Sequence, residues 1–152
     1  MNQQIELIKQ FYTCFQRKDY VGMAACYHPE VTFEDPAFKL KGKEVMAMWT
    51  MLLTGGTDLQ MSFGQVEPNA AQWEAVYTFS MTGKKVHNKI KASFEFKDGK
   101  IIKHTDRFDF HKWAGMAFGI TGTLLGWTSF FQNKVKQKAA ERLKRYIEKN
   151  AI

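Results

Sequence analysis

The stretch Tyr27–Pro36, YHPEVTFEDP, decides how the rest of the chain reads. Val31, Thr32, Phe33 and Glu34 alternate between apolar and polar, the period of a half-buried strand. That strand delivers a carboxylate, Asp35, into a turn closed by Pro36. An amphipathic helical pattern stands before the stretch and another follows it. An Asp-Pro turn has a structural role of its own, because the carboxylate accepts backbone N–H bonds. The other role is chemical, since a carboxylate aimed into a pocket serves as a general base.

On the N-terminal side, Ile5, Ile8, Phe11, Tyr12 and Phe15 recur at helical spacing. They predict a helix over 3–17, with Asn2 as its N-cap. Asp19 caps a second helix over 20–27, ended by His28-Pro29. On the C-terminal side, Gly42 opens a third helix over 43–54. Val45, Met48, Trp49, Leu52 and Leu53 lie on its apolar side, and Gly55-Gly56 stops it. From Asp58 the period changes to two. Leu59, Met61 and Phe63 alternate with polar residues, as do Trp73, Ala75, Tyr77, Phe79 and Met81, and then Ile90, Ala92, Phe94 and Phe96. Asp98-Gly99 is a strong hairpin signal, and a last strand runs from Lys100 to about Phe110.

Three helices against one face of a long, hairpin-connected sheet make an α+β layer arrangement. Residues 113–152 extend it. A short helix over 111–118 and an irregular apolar link, ITGTLLGW, lead to a long helix from Thr128 to about Lys149. Phe131, Val135, Ala139, Leu143 and Tyr146 form its narrow apolar stripe. The expected organisation is an α+β domain over 1–112, with the helical extension of 113–152 packed on the same domain.

The EDP segment and the order of elements around it resemble the NTF2-like (SnoaL-like, cystatin-like cone) superfamily, in particular its ketosteroid isomerases. The resemblance covers roughly residues 3–112. It implies a sheet curled around the N-terminal helices with one deep pocket, and makes Asp35 the base that takes a proton next to a carbonyl, as in the ketosteroid isomerase example of general acid–base tuning. The oxyanion hole of those enzymes does not carry over: Phe11 and Ala92 stand where the resemblance would put the Tyr and the acid. Losing such donors removes several kcal/mol of transition-state stabilisation. The phrase DGKIIKHTDRFD also resembles the closing strand of limonene-epoxide-hydrolase-like proteins, which would make Asp109 the pocket acid. Their Arg-x-Asp pair is missing from the preceding strand, NKIKASFEF.

The last strand, KHTDRFDFH, puts His104 and Asp106 on one face with Ile102, Phe108 and Phe110, and Arg107 and Asp109 on the other. Strand parity admits Asp106 or Asp109 to the interior, not both, unless a bulge intervenes. The candidate catalytic residues are therefore Asp35, His104, Asp106 and Asp109. Candidate pocket-lining residues are Phe11, Tyr12, Phe15, Phe33, Trp49, Leu53, Phe63, Tyr77, Phe94 and Phe108. No His or Cys pair has metal-ligand spacing and no glycine pattern suits a phosphate, so neither metal nor cofactor is expected. The expected function is binding of a small apolar molecule, with isomerase- or cyclase-like proton transfer as the enzymatic version. The alternative is a non-catalytic ligand-binding or interaction module.

The chain has 152 residues, 45% of them hydrophobic, enough for one domain with a sizeable core. It shows no secretory leader pattern, which suggests a cytoplasmic protein. The net charge is +7. Most of it lies beyond Asn133, where Lys134, Lys136, Lys138, Arg142, Lys144, Arg145 and Lys149 face only Glu141 and Glu148. These charges surround the apolar stripe, so a docked, solvated helix is favoured over a membrane or other anionic partner, and no nucleic acid is expected. Strands carrying Val76, Phe79 and Phe94 imply a sheet that cannot have two wet faces, and the resemblance implies pairing through the outer face, so a homodimer is expected.

Overall fold

The computed structural model describes residues 2–150. Helix α1 (Gln3–Gln16) starts where Asn2 Oδ1 accepts the Gln4 and Ile5 N–H groups, and α2 (Tyr20–Cys26) where Asp19 accepts that of Gly22. Strands β1 (Tyr27–Glu34) and β2 (Lys39–Lys41) precede α3 (Lys43–Gly55). The strands β3 (Gln60–Glu67), β4 (Ala70–Phe79), β5 (Lys84–Lys97) and β6 (Lys100–Arg107) then follow in hairpin succession. The chain ends in α4 (Phe110–Phe118), α5 (Ile120–Leu125) and α6 (Ser129–Lys149). The six strands form one sheet in the order β2-β1-β6-β5-β4-β3. Only β1 and β6 run parallel; the other neighbours are antiparallel. This is the α+β arrangement expected from the sequence.

The predicted hairpin closes as its residues require. Asp98 and Gly99 take φ of 53° and 72°, the left-handed pair of a tight hairpin turn, between paired Lys97 and Lys100. Three boundaries differ from expectation. Strand β1 begins at Tyr27, not Val31, and runs through Pro29. A proline cannot donate to the ladder, and the β1–β6 register slips between Tyr27 and Thr32 to accommodate it. Residues 39–41 form a short edge strand that no alternation announces. The apolar link after α4 is largely helical.

The core gathers on the inner face of the sheet. Ile8, Phe11, Tyr12 and Phe15 of α1 and Val45, Met48 and Trp49 of α3 pack against Val31, Phe33, Trp73, Ile90, Phe94 and Ile101. Each such side chain contributes about 1.5–3 kcal/mol by leaving water. A second cluster, Val86, Phe110, Trp113, Ala114 and Ala117, forms where α4 covers the end of the sheet. Helix α6 bridges the two, with Leu143 in the first and Phe131 and Val135 against the second.

The outer face of the sheet is charged. His87 meets Glu74 at 2.8 Å, Lys85 meets Asp58 at 3.1 Å and Lys103 meets Glu95 at 3.4 Å. Two of the three side chains behind the homodimer expectation point elsewhere. Phe94 is in the core, and Phe79 packs on Trp113 and Phe118 with ring centroids 5.6 and 5.1 Å away. Val76 alone is exposed on that face. Phe79 and Phe94 follow the inward parity of their strands, so of the three side chains Val76 is the one on the outer face.

Candidate active site

Parallel pairing of β1 with β6 sets the site. Phe33 lies beside His104 and Glu34 beside Thr105, so Asp35, the next residue, comes level with Asp106. Both carboxylates line one cavity of about 290 Å³ between the two hydrophobic clusters. Its walls include Phe15, Trp49, Trp73, Tyr77, Ile90 and Phe108. The exposed lining residues Ser80, Met81, Lys138 and Arg142 mark the rim. A mainly apolar cavity with a few converging polar groups is the usual form of a small-molecule site.

Asp35 closes its turn and also lines the cavity. Its Oδ1 accepts the N–H groups of Ala37 and Phe38, each at 2.7 Å, which fixes the turn. Its Oδ2 has no protein donor among the described residues. Its pKa is raised to about 6: burial is the largest cause and the Asp106 charge adds to it, while the two backbone bonds and His104 pull the other way.

Asp106 ends a buried chain of hydrogen bonds. Trp49 Nε1 donates to the Tyr27 hydroxyl at 2.9 Å, and that hydroxyl meets His104 Nδ1 at 2.8 Å. With the Trp49 proton on the tyrosine oxygen, the tyrosine donates to Nδ1, which leaves the imidazole proton on Nε2. His104 Nε2–H then donates to Asp106 Oδ1 at 2.9 Å, and Trp73 Nε1 donates to the same oxygen at 3.4 Å. Both bonds fall on Oδ1, so Oδ2 is left for the cavity.

His104 thus does not reach the cavity, contrary to expectation. It has no exposed surface, both ring nitrogens are engaged, and Phe33, Phe94, Phe11 and Trp49 enclose it at centroid distances of 5.0, 4.6, 5.7 and 6.1 Å. It positions Asp106. Asp109 is also outside: β6 ends at Arg107, and the Asp109 side chain accepts the Lys112 N–H as the N-cap of α4. Parity thus favours Asp106, with no bulge to bring Asp109 in. Arg107, on the outer face, donates to Ser93 Oγ.

Of the expected lining residues, Phe15, Trp49, Tyr77 and Phe108 face the cavity. Phe11, Tyr12, Phe33, Leu53, Phe63 and Phe94 do not. Phe11, Phe33 and Phe94 wall in His104. Tyr12 and Phe63 stack on each other at 5.4 Å, and the Tyr12 hydroxyl is buried without a hydrogen bond among the described residues. Leu53 points into the core, and Leu52, one helical step away, takes the lining position.

Sequence reasoning missed two polar groups. Tyr77 was read only as an aromatic wall, yet its hydroxyl accepts Trp113 Nε1–H at 2.9 Å and keeps its own proton free for a cavity ligand. Burial raises its pKa, as does the Asp35 charge, against the lowering effect of the Trp113 bond. Asn88 is 7% exposed, lines the cavity, and its amide has no protein partner among the described residues. The inward alternation of β5 begins at Val86, so an Asn at the following inward position was a legible signal.

A model of the SnoaL-like domain matches residues 8–104. No curated protein matches the chain. Among solved structures, a candidate polyketide cyclase from Silicibacter superposes with a TM-score of 0.64 at 17% identity, over 77% of this chain and 96% of its own. An LEH-like epoxide hydrolase from M. tuberculosis gives 0.60 at 17%, over 81% and 96%. An NTF2-like protein from Burkholderia xenovorans gives 0.60 at 12%, over 76% and 95%. At these identities the likeness is one of fold.

Proposed function

We propose, for a chain that belongs to the SnoaL-like domain family, that the cavity takes a small apolar molecule bearing a carbonyl and that Asp35 moves a proton beside that carbonyl. The observation that carries this reading is the meeting of Asp35 and Asp106 in one cavity. Asp35 Oδ2 takes a proton from the carbon next to the carbonyl. The C–H electron pair passes to the carbonyl oxygen as an enolate, and the proton returns to a different carbon. The Tyr77 hydroxyl is the donor best placed by its chemistry to hold the enolate oxygen, with Trp113 donating to it from behind. Asp106, held by His104, serves as a second acid or fixes a ligand hydroxyl. A base with a pKa of about 6 is ionised at neutral pH and still basic enough to act.

The natural ligand need not be known for a test. A panel of apolar ketones and enones in D₂O reports, by proton NMR, any protein-dependent exchange at the carbon next to the carbonyl. Exchange is expected with wild type, rising with pH through about 6 as Asp35 loses its proton. It should fall by roughly 10²–10⁴-fold in Asp35→Asn, the range of general-base catalysis. Ligands that bind without exchange would leave a binding module, and full exchange in Asp35→Asn would take the role of base away from Asp35.

A further inference from the structure

Helix α5 packs on α4 through glycines. A Cβ at Gly122 would stand 1.8 Å from the Ala114 carbonyl oxygen, and one at Gly126 would stand 2.8 Å from the Ala114 Cβ. These small residues bring α5 close against α4 and leave its large apolar residues on the far side. Ile120 is 79% exposed, Leu124 63%, Trp127 68% and Phe130 69%, with Leu125 beside them. Ile120 and Leu124, four apart, share one face of α5, and Trp127 follows in the turn beyond it, its indole bonded back to the Leu124 carbonyl. Folding of this domain does not use that surface, since the face that packs is the glycine face. Scattered exposed apolar residues are ordinary, but five within eleven residues, around one helical elbow, make a contiguous candidate contact surface.

The charges around it choose the partner. Between Phe110 and Ala140 the sequence has Lys112, Lys134, Lys136 and Lys138 and not a single Asp or Glu. The Lys134 ammonium lies 5.2 Å above the Phe130 ring, an apolar body with a cationic tip. The Trp127 indole N–H is bonded to the Leu124 carbonyl at 2.9 Å, and its ring remains exposed. Pairing this face with its copy about a two-fold axis would bring the same positively charged, acid-free segment against itself. Exposed leucine, tryptophan and phenylalanine beside the Lys134 ammonium, in a segment without a carboxylate, match an anionic bilayer surface. No described helix is long and apolar enough to cross a membrane.

We propose that the α5–α6 elbow, through Ile120, Leu124, Trp127 and Phe130 and the Lys134 ammonium beside them, docks the protein peripherally on anionic lipid bilayers. Phe118, which lines the cavity, adjoins the elbow in sequence, and the exposed Met81 lies on the cavity rim.

The test uses the full chain with vesicles of phosphatidylcholine alone or doped with phosphatidylglycerol. Co-sedimentation is expected with the anionic vesicles and should weaken as salt is added. Tryptophan emission should shift to the blue and be quenched by brominated lipid, a signal that belongs to Trp127 because Trp49, Trp73 and Trp113 are buried. Leu124→Asp and Trp127→Ala alter exposed side chains, so folding, checked by circular dichroism, should persist while partitioning falls about tenfold. Three results would overturn the proposal. One is absence of binding to anionic vesicles by the folded protein. Another is binding that Leu124→Asp and Trp127→Ala leave unchanged. The third is a dimer by light scattering that Leu124→Asp dissociates, in a protein that ignores vesicles.

Discussion

Asp35→Asn is expected to melt higher than wild type at pH 8 and at about the same temperature at pH 4. The folded protein holds the Asp35 proton up to a pH of about 6, whereas an unfolded chain releases it near ~3.9. Between those values the folded state binds more protons, so stability falls as pH rises and levels off above about 6. The shift corresponds to a cost of up to about 3 kcal/mol for keeping the carboxylate ionised in the cavity at pH 8. Asparagine removes that cost and keeps the oxygen that accepts the Ala37 and Phe38 N–H groups. With roughly 2–4 °C per kcal/mol for a chain of this size, the gain should be plain in thermal melts taken across pH. The same substitution abolishes the proposed base, so stability and turnover should move in opposite directions, as they do where a site is held at the expense of the fold. A variant no more stable than wild type at pH 8 would mean that Asp35 sits in water.

His104→Ala is expected to destabilise the protein by about 3–5 kcal/mol, because it removes a fully buried ring and leaves buried polar groups without partners. The imidazole joins Tyr27 to Asp106 and is enclosed by four aromatic rings. Its removal leaves a cavity and strips Asp106 Oδ1 of all but the 3.4 Å bond from Trp73. His104→Gln, which restores a donor and an acceptor of similar reach, should recover part of the loss. Urea unfolding of the three proteins at neutral pH gives the comparison. A loss under about 1 kcal/mol for alanine would show that the chain of hydrogen bonds holds nothing in place.

The order of helices and strands was legible because each element carries its period and its punctuation. Asn2 and Asp19 cap the helices they were expected to cap, and Asp98-Gly99 turns the hairpin it was expected to turn. The start of β1 was not legible, because Pro29 argues locally against a strand and only pairing with β6 holds it there. Strand parity put His104 and Asp106 on one inner face, and both are buried. Parity does not say how far along the face the cavity extends, and His104 stops two residues short of it. Asp109 followed from assuming that the strand continued to Phe110. The chain instead turns after Arg107 and uses Asp109 as a helix cap. Of the aromatic residues that could only be grouped as apolar, Phe15, Tyr77 and Phe108 face the cavity, Phe11, Phe33 and Phe94 enclose His104, and Trp49 does both. Inward parity marks Tyr77 and Asn88, but the Trp113 bond that frees the Tyr77 proton depends on how α4 covers the end of the sheet, which no local pattern states.

The central claim is that Asp35 and Asp106 share one cavity. Carboxyl-carbon NMR of Asp35 across pH, in wild type and in Asp106→Asn, tests it most directly. The structure predicts a midpoint of about 6 in wild type and a lower one once the Asp106 charge is gone. A midpoint near ~4, the ordinary value for an aspartate, unmoved by Asp106→Asn, would contradict it.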